Sequence, residues 1–306
     1  MRPIDPLDLI PVTLGTAALG QRYGLTNSHE PMTETCARAI LDRAWERGIR
    51  SIDTAPAYGA AEQRIGRWIE VRGIRPTIIS KAPSMADIDD ASVSDRLESI
   101  AKRSRRMLDK PLIDSYLLHQ HADWRRSSVR ASLRRLQDQG VVGAIGLSGY
   151  DATEINDLIT IDRPDLIQLP FSIFDRRAES SGLLDRAADT GIAVFARSVY
   201  LQGLLFMDPA TLPPYFHDAK PVLERLRRLA AEAECDLETI GILGALRAPV
   251  ISSVVIGLVS SDQVDRAVTS AKATVDGAVI AEAVRIGAEL PNDIRDPRQW
   301  PQPSGK

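Results

Sequence analysis

Four side chains that could share one proton-transfer chemistry stand where short apolar runs stop. Asp53 and Tyr58 lie in SIDTAPAYG (51–59), Lys81 closes TIISK (77–81), and His119 closes DSYLLH (114–119). A phenol, with a reference pKa of about 10, is a poor proton donor to a carbonyl oxygen unless that value is lowered. A nearby ammonium lowers it by favouring the phenolate. Lys81 could supply that charge and Asp53 could hold it in place. Tyr58 would then serve as general acid in one direction and general base in the other. His119 could hydrogen-bond the substrate oxygen and orient it. The set suits reversible carbonyl reduction, given a source of hydride. Taken singly, each residue also has an ordinary role: a turn-capping aspartate, a turn aromatic, a solvated lysine, a satisfied strand-end histidine. It is their shared placement that argues for chemistry.

That placement needs a scaffold that gathers strand ends. Strand-like runs fall at 11–15, 49–53, 77–81, 113–119, 144–148, 166–170, 193–197 and 252–257. Most are nearly all apolar, as expected for strands buried on both faces of a parallel sheet. Helical spacing fills the intervals. In residues 33–48, Cys36, Ala39, Ile40 and Ala44 are expected on the buried face, with Thr33 as N-cap and Gly48 as stop. Gly140 and Gly191 likewise close helix-like segments just before strands. Strict alternation with eight strands argues for an α/β fold of the (β/α)8 TIM-barrel type, whose active site lies at the C-terminal strand ends. A doubly wound open sheet is the alternative architecture.

The expected organisation is a single barrel domain over residues 1–290, followed by an irregular, proline-rich tail at 291–306. Residues 200–221, with four prolines, are expected to form a long loop over the mouth. With 44% hydrophobic and 26% charged residues, the composition is ordinary for a globular protein. A net charge of −3 gives no sign of a nucleic-acid surface. No apolar stretch approaches the roughly 18 residues of a membrane span. The N-terminus lacks a secretory pattern, and two distant cysteines, Cys36 and Cys235, fit a reducing cytoplasm.

The stretch GIRSIDTAPAYG (48–59) resembles the signature of the aldo-keto reductase superfamily, and the resemblance runs from LGTAALG (14–20) to VVIGLVSSDQV (254–264). It implies a (β/α)8 barrel that reduces aldehydes or ketones with NADP(H), less often NAD(H). It also implies that Asp53, Tyr58, Lys81 and His119 form the catalytic tetrad. Gly15, Thr16 and Ala17 after the first strand, and Ser198, Gly257, Ser260 and Gln263, fall at cofactor-binding positions together with Asp53. Ser148 and Gln168 would hold the nicotinamide carboxamide. Three departures stand out. Gly149 replaces the usual asparagine after Ser148. Arg197 replaces the tyrosine that stacks on the nicotinamide, so it either binds an anionic group, the cofactor pyrophosphate or a substrate carboxylate or phosphate, or turns away into a salt bridge. No cation occupies the usual 2′-phosphate position near Val259, and Ala267 replaces a later asparagine, leaving Arg266 as the nearby cation. The phosphate could instead rest on the helix N-terminus near Ser261.

On the substrate side, His121 and Trp124 in HQHADW (119–124) and Tyr23 in the loop after the first strand are candidates to line the pocket. Trp124 could equally pack beneath its loop. YGLTN (23–27), QLPFSIFDRR (168–177) and RSVYLQG (197–203) resemble a bacterial branch associated with polysaccharide and specialised-metabolite pathways. This suggests a small polar or sugar-derived carbonyl or alcohol substrate. Two alternatives keep the cofactor: an NAD-dependent aldose or alcohol dehydrogenase running oxidatively, and a cofactor-binding sensor without turnover. A metal-dependent hydrolase would need more ligands than His119 and His121, with only His29 and His217 left to recruit. No metal is expected.

Overall fold

The computed structural model describes residues 10–22, 24 and 32–301. Eight parallel strands pair in sequence order and close into a barrel through β1 and β8. They are β1 (Val12–Gly15), β2 (Ser51–Asp53), β3 (Thr77–Ala82), β4 (Ile113–Leu118), β5 (Val142–Ser148), β6 (Leu166–Pro170), β7 (Ala193–Arg197) and β8 (Ile251–Gly257). Helices separate the strands, so the architecture is the expected single-domain (β/α)8 barrel.

Side chains two apart on a strand share a face, and this parity stacks the barrel interior in layers. At the bottom, the Thr13 hydroxyl meets Ser51 Oγ at 2.7 Å and Ser253 Oγ at 2.8 Å. Ile79, Leu117 and Leu166 form a small apolar cluster above, with Phe195 against it. Two residues beyond each of these four come Lys81, His119, Gln168 and Arg197. Asp53, two beyond Ser51, joins them. Strand register therefore delivers the functional side chains to one rim as the top layer of a packed interior.

The barrel is clad by helices whose apolar faces meet the outward-facing strand residues. In the first long helix, Glu34–Glu46, the buried face is Ala37, Ile40, Leu41 and Ala44. This corrects the expected face: Ile40 and Ala44 are buried, but Cys36 and Ala39 are exposed, and Ala37 and Leu41 take their places. Thr33 does cap this helix, its hydroxyl accepting from Cys36 N–H, and Gly48 follows with φ +90°.

Residues 200–221 are better built than a long loop. Two short 3-10 helices, Leu201–Phe206 and Pro214–Ala219, bury Leu204, Leu205 and Phe216 in a second apolar cluster. The tail also needs correction as far as Pro301. Residues Asn292–Arg295 form a helical turn and Pro297–Gln299 a 3-10 turn. Trp300 is buried edge-on against Phe216, with centroids 5.0 Å apart, and its indole N–H donates to Ile294 O.

Two contacts fix the loop that carries Tyr58. The following helix, Ala61–Arg72, is tied to β3 by the buried Glu62 carboxylate, which accepts from Ser80 Oγ at 2.7 Å and Ser104 Oγ at 3.1 Å. At the other end, Gly20 packs directly beneath the loop. A Cβ there would stand 1.8 Å from Tyr58 O and 2.6 Å from Ala61 N. Gly20→Ala must therefore push backbone apart and is expected to destabilise the fold by about 1–3 kcal/mol. A urea unfolding midpoint equal to the wild type's would contradict this packing.

Candidate active site

Lys81 is 1% exposed, an ammonium inside the barrel. Its Nζ donates to both Asp53 oxygens at 2.6 Å, to Thr54 O at 3.3 Å and to Tyr58 Oη at 3.4 Å. An ammonium has three protons and no lone pair, so the phenol oxygen accepts from it and keeps its own hydrogen free. Burial is the largest single influence and would lower the lysine, but Asp53 and Tyr58 together outweigh it and the ammonium is held above its ordinary pKa. Tyr58 departs from the sequence reading. Burial pushes the phenol up, the Lys81 charge opposes this without overcoming it, and Asp53 adds to the rise. The expected lowering by Lys81 is thus reversed in net effect, because a depth of burial that no motif encodes dominates.

His119 follows β4 and lies edge-on to Tyr58, with ring centroids 5.9 Å apart. Burial and then the Lys81 charge pull its pKa down to about 4. The imidazole is therefore neutral near pH 7, with one N–H to give and one nitrogen to accept.

Gln168 crosses from the far side of the rim, its Nε2 donating to Asp53 Oδ1 at 2.7 Å. Ser148 Oγ donates to Gln168 Oε1 at 3.4 Å. A single line of polar contacts thus runs from Ser148 through Gln168, Asp53 and Lys81 to Tyr58. Ser148 is buried behind Gln168 rather than on the groove wall.

The two departures at Gly149 and Arg197 are linked. A Cβ at Gly149 would lie 2.6 Å from His121 Cγ, so the histidine ring takes the space an asparagine would need. His121 Nε2 pairs with Glu154 Oε2 at 2.8 Å, and its ring packs on Gly149 instead of lining the groove. The bare Gly149 carbonyl accepts from Arg197 Nη2 at 3.0 Å. Arg197 also stacks on Tyr150, with Cζ 3.9 Å from the ring centroid. It makes no ion pair among the described residues, so it has not turned away into a salt bridge.

Trp124 is fully buried, its indole N–H donating to Asp162 O at 3.0 Å. This corrects its candidacy as a pocket residue. Tyr23 lies outside the described residues.

A groove of about 540 Å³ opens above this layer, within the roughly 300–1,000 Å³ typical of ligand sites. Gly15, Thr16 and Ala17 form one wall, with Asp53, Tyr58 and Gln168 at the floor. The groove runs past Arg197, Ser198, Gln202 and Gly203 to Gly257, Gln263, Glu238 and Arg266. Its volume, the polar groups Asp53, Tyr58, Gln168, Gln263 and Glu238, and the apolar Val199 and Leu258 among its lining residues suit a nicotinamide dinucleotide. A Cβ at Gly257 would meet only Gly15 O, at 4.0 Å, and so would stand in open groove space. Ser260 caps the helix Ser261–Lys272 by accepting from Gln263 N–H, while Gln263 Oε1 accepts from Val259 N–H.

Sequence reading missed Tyr150, Gln202 and Glu238 on this site. Tyr150 directly follows Gly149 at a strand end and was accessible to the same logic. Glu238 sits in the first turn of the helix Leu237–Leu246, remote from any motif. Among the described residues, no cluster of three or more His, Cys, Asp or Glu side chains could hold a metal. No helix there is long and apolar enough to cross a membrane.

The family model described as Aldo/keto reductase family matches residues 11–287. The chain belongs to that oxidoreductase family. It is 28% identical over 287 residues to a D-threo-aldose 1-dehydrogenase from a Pseudomonas species, covering 80% of this chain and 86% of the relative. It is 26% identical over 289 residues to an NADH-specific methylglyoxal reductase from Escherichia coli strain K12, covering 82% and 86%. The fold matches that of an aldo-keto reductase from Bacillus halodurans in its holo form, with a TM-score of 0.73, 24% identity, and coverage of 94% of this chain and 95% of that one.

The depressed His119 pKa has a consequence for stability. The unfolded imidazole takes up a proton near its reference pKa of 6.5, whereas the folded one waits until about 4. Between those values the unfolded state binds more protons, so this contribution to stability is lost as pH falls from 6.5 towards 4. The slope attributable to one proton is at most about 1.4 kcal/mol per pH unit. Urea midpoints from pH 7 to 4 are expected to fall less steeply in His119→Gln than in wild type. Parallel curves would show that His119 does not titrate in this way.

Proposed function

We propose that this protein reduces an aldehyde or ketone on a small polar or sugar-derived molecule to the alcohol. The observation that carries this reading is the Asp53–Lys81–Tyr58 chain, which leaves a phenolic hydrogen free at the groove floor. The groove between Gly15–Ala17, Gln168 and Gly257–Gln263 would hold NAD(P)H, which when bound would supply a hydride for the carbonyl carbon. As the C=O bond opens, its oxygen gains negative charge and takes the Tyr58 proton. The phenolate left behind faces the Lys81 ammonium, which Asp53 keeps in place and charged. His119, neutral at working pH, donates its N–H to the same oxygen and fixes the carbonyl's direction. A proton from solvent restores the phenol.

A phenol held above its ordinary pKa is a weaker acid than free tyrosine, but it is fully protonated near pH 7, so the resting protein carries the proton that reduction consumes and lacks the phenolate with which oxidation begins. The oxidative reading, an aldose dehydrogenase as in the Pseudomonas relative's name, would require Tyr58 to begin as phenolate. Tyr58→Phe separates both enzymes from a sensor. Turnover is expected to fall by about 10²–10⁴-fold with cofactor still bound in a fluorescence titration. An unchanged rate would overturn the role given to Tyr58.

For the cofactor, the resemblance favours NADP(H), held at the far end of the groove through Arg266 or the helix start. A second reading, NAD(H), draws on one observation. Arg266 Nε already donates to the buried Glu238 carboxylate at 2.8 Å, so a negative charge stands beside this cation, and a carboxylate suits a ribose 2′-hydroxyl better than a 2′-phosphate. The name of the NADH-specific relative points the same way. Titration with NADPH and NADH, on wild type and on Glu238→Gln, decides between them. If Glu238 governs the choice, NADH binds tighter to wild type and the variant shifts the affinity ratio about tenfold towards NADPH. NADPH preference in wild type, unaltered by the substitution, would restore the first reading.

A further inference from the structure

Among the described residues, Arg197 carries a charge that no carboxylate answers. Other arginines behind Tyr150 are occupied: Arg298, which also lies against the Tyr150 ring, donates from Nε to Asp296 Oδ1 at 2.9 Å, and Arg177 Nε donates to Asp175 Oδ1 at 2.9 Å. Arg295 donates to the carbonyls of Ala288 and Leu290. Asp151 caps the helix Ala152–Ile161 by accepting from Glu154 N–H. These acidic groups thus have their own partners, and among the described residues Arg197 has no carboxylate within 4.0 Å.

Its guanidinium is nonetheless held firmly. One N–H meets Gly149 O at 3.0 Å and another reaches Ser198 Oγ at 3.4 Å. The flat face lies on Tyr150, whose ring also lies against Arg298 at 4.6 Å. A guanidinium has five N–H donors. Two are engaged with protein atoms and three are not, and two free donors suffice for a carboxylate bound side by side. The group lines the groove, and its positive charge is felt at both Tyr58 and His119. It therefore belongs to the reacting end of the groove, away from the Glu238–Arg266 end.

We propose that Arg197 binds a carboxylate on the substrate itself, so that the protein acts on carbonyl acids and yields hydroxy acids. This rests on the carbonyl-reducing reading above. Hydride and proton are accounted for as before, and the carboxylate takes no part in bond making. Three neighbouring features serve this one purpose. Gly149 exposes the carbonyl that anchors the arginine, His121 fills the space beside Gly149, and Tyr150 forms the stacking face. An ordinary phosphate-gripping role predicts something different, because the arginine would then serve cofactor and not substrate.

The test uses 4-carboxybenzaldehyde and its methyl ester, which differ in charge but share the aldehyde and the ring. Wild type is expected to prefer the acid over the ester by about 10–100-fold in kcat/KM, as a charge-assisted pair predicts. In Arg197→Met that ratio should collapse towards one, chiefly through KM for the acid. Arg197→Lys, which keeps the charge without the fork, should restore part of it. Cofactor dissociation constants from fluorescence titration should move far less than the ratio does. The proposal is overturned if Arg197→Met lowers both substrates alike, or if it weakens cofactor binding tenfold while acid preference persists. If neither aldehyde turns over with NADH or NADPH, the reductase reading fails separately. Calorimetric binding of 4-(hydroxymethyl)benzoate against its methyl ester then still reads the anion site. Equal binding of the two, or a preference that survives Arg197→Met, refutes it.

Discussion

An ammonium removed from water costs several kcal/mol unless its protons and its charge are all answered. Lys81 is in that position, and the way its three protons are answered organises the rim. Two go to Asp53, which joins β3 to β2. The remaining direction divides between Thr54 O and Tyr58 Oη, which ties down the loop that brings Tyr58 back over the mouth. Asp53 then accepts from Gln168, on the opposite side of the barrel. One carboxylate thus links β2, β3 and β6, and the phenol is positioned by the same contacts that make burial of the ammonium tolerable. Removing either member of the pair would leave the other as an uncompensated buried charge.

Below this layer the barrel supplies rigidity. The Thr13, Ser51 and Ser253 hydroxyls satisfy one another at the bottom, and Ile79, Leu117 and Leu166 fill the middle. A packed interior leaves the top layer few alternative rotamers. The groove lies above it, with its polar groups set apart: a proton donor and a neutral imidazole at one end, the Glu238–Arg266 pair at the other. Between them, the segment after β7 places Ser198, Leu201 and Gln202 at positive φ, a costly backbone path for residues with side chains. Leu204 and Leu205 beyond it are buried, and this burial holds the segment on its course.

Much of this was legible in the sequence, because the barrel translates strand ends into spatial neighbours. All eight strands fall where the apolar runs lie, with boundaries shifted by at most two residues, and parity alone places Asp53, Lys81, His119 and Gln168 on one face. What was not legible has physical causes. The buried stripe of the first long helix lies at Ala37 and Leu41, not at Cys36, because an alanine-rich helix offers nearly equal apolar counts on adjacent faces. The direction of the Tyr58 pKa depends on burial depth, which a motif does not encode. Trp124 packs beneath its loop, an alternative the sequence left open. The coupling of Gly149 to His121 is a contact between loops after different strands, visible only as a Cβ clash. Glu238 reaches the groove from a helix with no motif near it. Residues 292–300 of the tail are packed because Trp300 and Ile294 join an apolar cluster whose other members, such as Ile173, Leu204, Phe216 and Ile286, are scattered along the sequence.

The central claim is that Asp53 acts on Tyr58 through Lys81, as one charge-coupled unit. A double-mutant cycle with Asp53→Asn, Lys81→Met and the combined variant, read on single-turnover reduction rate and on urea stability, tests it most directly. The account predicts strong non-additivity: either single change removes most of the rate, and the double variant loses little more. In stability, the double variant should lie well above the sum of the two losses, since neither charge is left unpaired. Additive losses in both measurements would mean that Asp53 and Lys81 act independently, and would contradict the account.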